Sequence, residues 1–127
     1  MKSRKGIDKK LDDSWAILVK LKAGMKCEVC HKSRNLNSHH IYSRSKKSTR
    51  WHVKNGVCLC VGCHVFSSKF SAHKTPTEFT EWLNENKGTD YMDRLRLRAN
   101  TVSKLHPFEK KILLEELQKE IKSYESL

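Results

Sequence analysis

Two cysteine pairs with the same spacing constrain this chain more than any other feature: Cys27-x-x-Cys30 and Cys60-x-x-Cys63. Two thiolates with two residues between them curl around one ion, and two such knuckles supply the four sulfurs of a tetrahedral zinc site. The 29 residues between Cys30 and Cys60 exceed what a short ribbon needs, so a further element folds out between the knuckles. The competing reading is disulfide pairing, which requires an oxidising compartment. Met1 to Lys10 carries charge without an apolar stretch and does not read as a secretory signal, so a reducing, cytoplasmic setting is expected. The longest apolar run, Trp15 to Val19, is far below the roughly 18 residues of a membrane span. The fifth cysteine, Cys58, lies in the strand-like Val57-Cys58-Leu59 and reads as a small core residue, with competition against Cys60 as the alternative.

A chain of 127 residues reads as one domain, 1–127, whose small core a metal staple would strengthen. The formal charge is +12, and it is unevenly placed. Residues 1–26 carry a net +5, residues 27–75 a net +8 and residues 76–127 a net −1. A solvated surface mixes signs, as the last third does. A one-signed segment is the electrostatic footprint of a phosphate polymer, with solubility alone as the bland alternative. The only acid in residues 27–75 is Glu28, which excludes a nuclease built on clustered carboxylates.

Periodicity divides the domain into an N-terminal arm and helix over residues 1–24, a zinc-clamped core over 25–70 and C-terminal helices over 71–127. Residues 1–7 read as a basic, mobile arm. Leu11, Trp15, Leu18 and Leu21 recur at helical spacing between Asp8 and Lys22, and Gly24 supplies a stop. Asn37–Ile41 and Gly56–Leu59 read as short strands, Tyr42–Lys54 as a loop and Val61–Phe70 as a helix. Thr75-Pro76-Thr77-Glu78 has the pattern of a capping box with proline at the first helical position. It opens a helix carrying Phe79, Trp82 and Leu83. Asp90 opens another helix, with Arg94, Arg96 and Arg98 exposed. Pro107 opens the last, with Phe108, Ile112, Leu113, Leu117, Ile121 and Tyr124 on one stripe that suits either packing or a dimer contact.

Histidines add a second constellation. His39-His40 lies on the first strand candidate, Asn55-Gly56 precedes the second, and His64 follows Cys63. Neighbouring strand residues point to opposite faces, so one histidine of the pair can face a metal and the other a substrate. The run Cys27-Glu-Val-Cys30, His39-His40-Ile41, Arg50-Trp51, Asn55-Gly56 and Cys60-x-x-Cys63-His64 resembles the zinc-knuckled HNH endonucleases, above all the small stand-alone ones of bacteriophages. The resemblance covers about residues 24–66.

The resemblance implies an α+β, mostly α fold with a ββα-metal centre, a four-cysteine structural zinc and flanking helices. It implies metal-dependent hydrolysis of DNA phosphodiesters, leaving 5′-phosphate and 3′-hydroxyl ends, in a bacterial or phage-infected cell. By position, His39 and His64 match ligands of a catalytic Mg²⁺ or Mn²⁺, His40 the general base, and Asn55 the residue that braces the hairpin. Some relatives carry a further histidine one turn after His64; Ser68 stands here, leaving two protein ligands for that ion. Phage packaging or recombination proteins are partners by family association only.

The chemistry also stands without the resemblance. A neutral imidazole can take a proton from water at pH 7, and a divalent ion can stabilise the charge of a phosphoryl transition state. Arg44, Lys46, Lys47 and Arg50 are the expected phosphate contacts, Arg44 as a bidentate clamp. Trp51 reads as packing, with base stacking as the alternative. His73 lies nine residues after His64 and reads as a structural residue or a helper in the site. No recognition helix is evident, so backbone contact with steep salt dependence is expected. The main alternative is a zinc-stabilised nucleic-acid binding module without catalysis, which gives no reason for His39, His40, Asn55 and His64 in that order. A third reading is a partner protein that docks through its C-terminal helix.

Overall fold

The computed structural model describes residues 6–125. Most of the arm expected over residues 1–7 lies outside the described residues. The fold is mostly helical, with one two-stranded antiparallel sheet and four cysteines close together. In chain order the elements are α1 (Ile7–Lys22), β1 (Leu36–His40), α2 (Lys47–Arg50), β2 (Gly56–Cys60), α3 (Pro76–Lys87), α4 (Thr89–Ala99) and α5 (Pro107–Glu125). A 3₁₀ turn, Val53–Asn55, precedes β2, and a single wide helical turn, Gly62–Phe66, follows it. No described helix is long and apolar enough to cross a membrane.

The hairpin separates two small cores, and strand alternation sends Cys58 to one and Val57 and Leu59 to the other. Register pairs Leu36 with Cys60 and His40 with Gly56. On one face Cys58 joins Leu11, Trp15, Leu18 and Val19 of α1, with Trp51 and with Leu114 and Leu117 of α5. On the other, Val57 and Leu59 join Cys27, Cys60, Ala72, and Phe79 and Leu83 of α3. Gly56 lets α1 lie directly on the strand, because a Cβ there would collide with Val19 Cγ2 and Trp15. Such overpacking costs about 1–3 kcal/mol or more. Trp51 is buried, so it packs the core. Cys58 is fully buried and stands apart from the four-sulfur group.

Four local expectations are corrected. The helix expected over Val61–Phe70 is one wide turn closed by Ser67 N–H on Gly62 O at 2.9 Å. Ser67 Oγ then accepts the N–H groups of Lys69 and Phe70, both at 3.2 Å, which competes with helix continuation. The stretch expected as loop, Tyr42–Lys54, contains α2 and the Val53–Asn55 turn. Thr75 precedes α3 but makes no capping bond; its hydroxyl instead donates to Ser71 O at 2.9 Å and accepts Ser71 N–H at 2.8 Å. On α5 Leu114 and Leu117 are buried, with Leu113, Ile121 and Tyr124 of the expected stripe packed against the same core, while Phe108 and Ile112 are exposed. At about 100° per residue those two fall on the side opposite Leu117.

Candidate functional site

The four knuckle cysteines converge as their spacing predicts, with all sulfurs within 4.8 Å of one another. Cys30 Sγ lies 3.5 Å from Cys60 Sγ. Two thiolates on one tetrahedral zinc at about 2.3 Å stand about 3.8 Å apart, so the cluster fits that ion with little adjustment. The first knuckle is shaped by Cys27 N–H on Lys32 O at 2.8 Å and His31 N–H on Cys27 O at 2.9 Å, with His31 at φ +66°. Burial raises the Cys27 thiol, but N–H donation from Cys30, Cys60 and Val29 outweighs it and lowers its pKa, while burial raises those of Cys30 and Cys63, so Cys27 is the first of the group to become a thiolate. Glu28 locks the knuckle in place. Its backbone N–H reaches Cys58 O at 2.8 Å, and its carboxylate accepts Cys58 N–H at 2.7 Å and Lys87 Nζ at 2.6 Å.

A second cluster forms on the α3 face. His39 Nδ1 lies 3.1 Å from His64 Nε2, and His64 Nε2 lies 3.1 Å from His73 Nε2. Imidazoles on one tetrahedral ion at about 2.0 Å stand about 3.3 Å apart, so these three nitrogens also fit a single ion. His73 arrives by tertiary folding. Ala72 N–H donates to Cys63 O at 2.8 Å and His73 N–H to His64 O at 3.0 Å, which lays the 70–73 segment along the wide turn. His39 and His64, the two expected ligands, are therefore joined by His73, which stands where Ser68 does not reach, and the three imidazoles could hold one ion. Burial, then the neighbouring His64, His73 and His40, lowers the His39 pKa to about 4, and burial lowers that of His64. Both are neutral at pH 7, the form that binds metal. His73 is exposed, so the cluster opens to solvent.

His40 turns to the opposite face. Its ring stacks on Trp15 with centroids 3.8 Å apart and planes 10° from parallel. Its Nε2 lies 3.0 Å from Arg50 O. A carbonyl only accepts, so Nε2 holds the proton and Nδ1 keeps the lone pair. Burial is the largest cause of a net lowering of the His40 pKa, which keeps this imidazole neutral at pH 7. Asn55 is fully buried and clamps the backbone just beyond His40. Its Oδ1 accepts Tyr42 N–H at 2.8 Å, its Nδ2 donates to Tyr42 O at 3.0 Å, and its carbonyl accepts Ile41 N–H at 2.8 Å.

Asp12 of α1 is the participant that sequence reasoning missed. Its carboxylate accepts Arg50 Nε at 3.1 Å and Nη2 at 2.8 Å, Arg44 Nη2 at 3.0 Å and Trp51 Nε1 at 2.7 Å. Burial raises its pKa, but the hydrogen bonds of Arg50 and Trp51 and the charges of Arg50 and Arg44 outweigh this and lower it below 3.8. Arg50 is thus held bidentately by a carboxylate, with its side chain only 15% exposed. Arg44 shares that partner but is half exposed, and Lys46 and Lys47 are exposed. No local signal announces Asp12, which lies 38 residues before Arg50. No protein-family model matches this chain, and neither the curated proteins nor the solved structures contain a match.

Proposed function

We propose that the chain is a metal-dependent endonuclease of the HNH type that hydrolyses DNA phosphodiester bonds, built on a ββα-metal centre whose third element is the single turn Gly62–Phe66. The observation that supports this reading is the convergence of His39, His64 and His73 on one point, with the adjacent His40 on the other face of the strand holding its Nε2 on Arg50 O. His39, His64 and His73 would hold the exchangeable ion. Bound there, a divalent ion supplies positive charge for the phosphoryl oxygens and the departing 3′ oxygen. Three imidazoles favour ions such as Zn²⁺ or Ni²⁺, whereas Mg²⁺ or Mn²⁺ would rely on water and phosphate oxygens.

The chain's own residues do the remaining work. His40 Nδ1 takes the proton of the attacking water. Arg50 O holds the proton of Nε2 and so fixes the tautomer, while Trp15 fixes the ring plane. Asn55 keeps the backbone after His40 from opening. Arg44, Lys46 and Lys47 hold the phosphate backbone, with Arg44 exchanging part of its contact with Asp12 for a phosphate oxygen; Arg50 acts by positioning. Cys27, Cys30, Cys60 and Cys63 would hold a structural zinc that ties the hairpin to the turn after it.

The test is relaxation of supercoiled plasmid by zinc-replete protein under added Mg²⁺, Mn²⁺, Ni²⁺ or excess Zn²⁺. Ion-dependent nicked or linear product is expected. Absence of product with every ion, alongside salt-sensitive DNA binding, would leave the non-catalytic binding module.

A further inference from the structure

A second positively charged feature lies on elements that carry none of the imidazole cluster. The Val53–Asn55 turn and one side of α4 enclose a cavity of about 210 Å³ lined by His52, Lys54, Tyr91, Arg94, Leu95 and Arg98. Three of the six are permanent cations and none is a carboxylate. The lining is held in place. Tyr91 OH donates to Lys54 O at 2.6 Å, and Arg98 Nε donates to Ser48 O at 3.0 Å, which orients the guanidinium plane. Lys54 Nζ sits 5.9 Å from the centre of the Tyr91 ring.

The nearby acids do not neutralise it. Asp90 pairs with Arg94 at 3.2 Å, but those side chains are 83% and 78% exposed, so salt screens the pair. Glu28 acts on Tyr91 and is itself paired with Lys87 at 2.6 Å. The local field is visible at His52. Burial first, then Arg98 and Lys54, lower its pKa to about 4. Like charges gathered around a half-buried ring are a standing cost that a bound anion would remove.

We infer that this cavity is a phosphate subsite, which takes a backbone phosphodiester of a bound nucleic acid away from the imidazole cluster. The subsite binds whether or not His40 supports hydrolysis, so its test stands apart from the cleavage assay. Arg94 and Lys54 supply exposed charge, Arg98 the oriented fork, and His52 a proton acceptor that gains charge once the anion is in place.

Two readouts test it on zinc-replete full chain without added divalent ion. The first is the His52 ring resonance at about pH 5, between its lowered pKa of about 4 and the ordinary imidazole value, titrated with inorganic phosphate and, separately, with a short DNA duplex. The duplex is expected to move His52 toward the imidazolium position. Movement with phosphate as well assigns the site to the phosphate group itself; movement with duplex alone assigns it to the polymer. The second is the slope of log affinity for the duplex against log salt. Arg94→Gln and Lys54→Gln, both at exposed positions, are each expected to reduce it by about one. A His52 resonance unmoved by either probe, with both slopes unchanged, would overturn the inference.

Discussion

The two candidate metal clusters each take one residue from the hairpin, Cys60 from β2 and His39 from β1, yet they are built differently. The cysteine cluster has four donors, two of them buried, and a tetrahedral ion would leave no position open. The imidazole cluster has three donors, one of them exposed, and is a ligand short of a tetrahedron. Closed four-sulfur sites hold folds together, whereas three-donor sites leave room for water or substrate. Removing the first should therefore dismantle the molecule, and removing the second should leave the molecule intact without its chemistry.

The largest expected effect comes from Cys60→Ser or from stripping zinc. Structural zinc supplies on the order of 10 kcal/mol in small domains, more than a core of this size can replace. Loss of helical circular dichroism on chelation is expected; a chelated protein with an unchanged spectrum would dissolve the contrast. Next is His40→Ala, expected to slow cleavage by roughly 10²–10⁴-fold, the usual worth of a general base, with a cooperative melting transition kept at a midpoint lowered by the lost Trp15 stack and Arg50 O bond. Single-turnover rates check this, and an undiminished rate would remove His40 from the base role.

Asn55→Ala sits between the two kinds of effect. It leaves Tyr42 N–H and O without their buried partner, at about 1–3 kcal/mol for each group left unpaired. Urea denaturation measures that, and the cleavage rate should fall further than stability alone explains.

Asp12→Asn has a smaller, pH-dependent effect. The folded pKa of Asp12 lies below its ordinary 3.8, so its contribution is complete above that value and is lost as pH falls through the lower one. The stability difference between wild type and variant should be flat near neutral pH and shrink below about pH 4. A difference that grew on acidification would contradict the pairing. Smallest of all, Lys46→Ala should lower the salt slope of DNA affinity by about one without touching stability.

What was legible in the sequence was local or paired. Equal spacings exposed the two knuckles, and strand alternation separated His39 from His40 correctly, one toward α3 and the other toward α1. What was not legible required distant segments to meet. His73 reaches the imidazoles only because two backbone bonds fold its segment onto the wide turn. Arg44 and Arg50 read as free cations because Asp12, on another element, is invisible from their own neighbourhood. The overlong helix after β2 and the unformed cap at Thr75 share one cause: a hydroxyl served nearby backbone groups in place of the expected helix pattern. The α5 stripe holds for Leu113, Leu117, Ile121 and Tyr124 and breaks only at Phe108 and Ile112, which lie on the opposite side of the long helix.

The most direct test of the division between the two clusters is the single-turnover DNA cleavage rate of zinc-replete His64→Ala, measured beside its melting midpoint. The account predicts a rate at least about 100-fold below wild type, with the midpoint shifted by only a few degrees. Wild-type cleavage in that variant, or collapse of its fold, would contradict it.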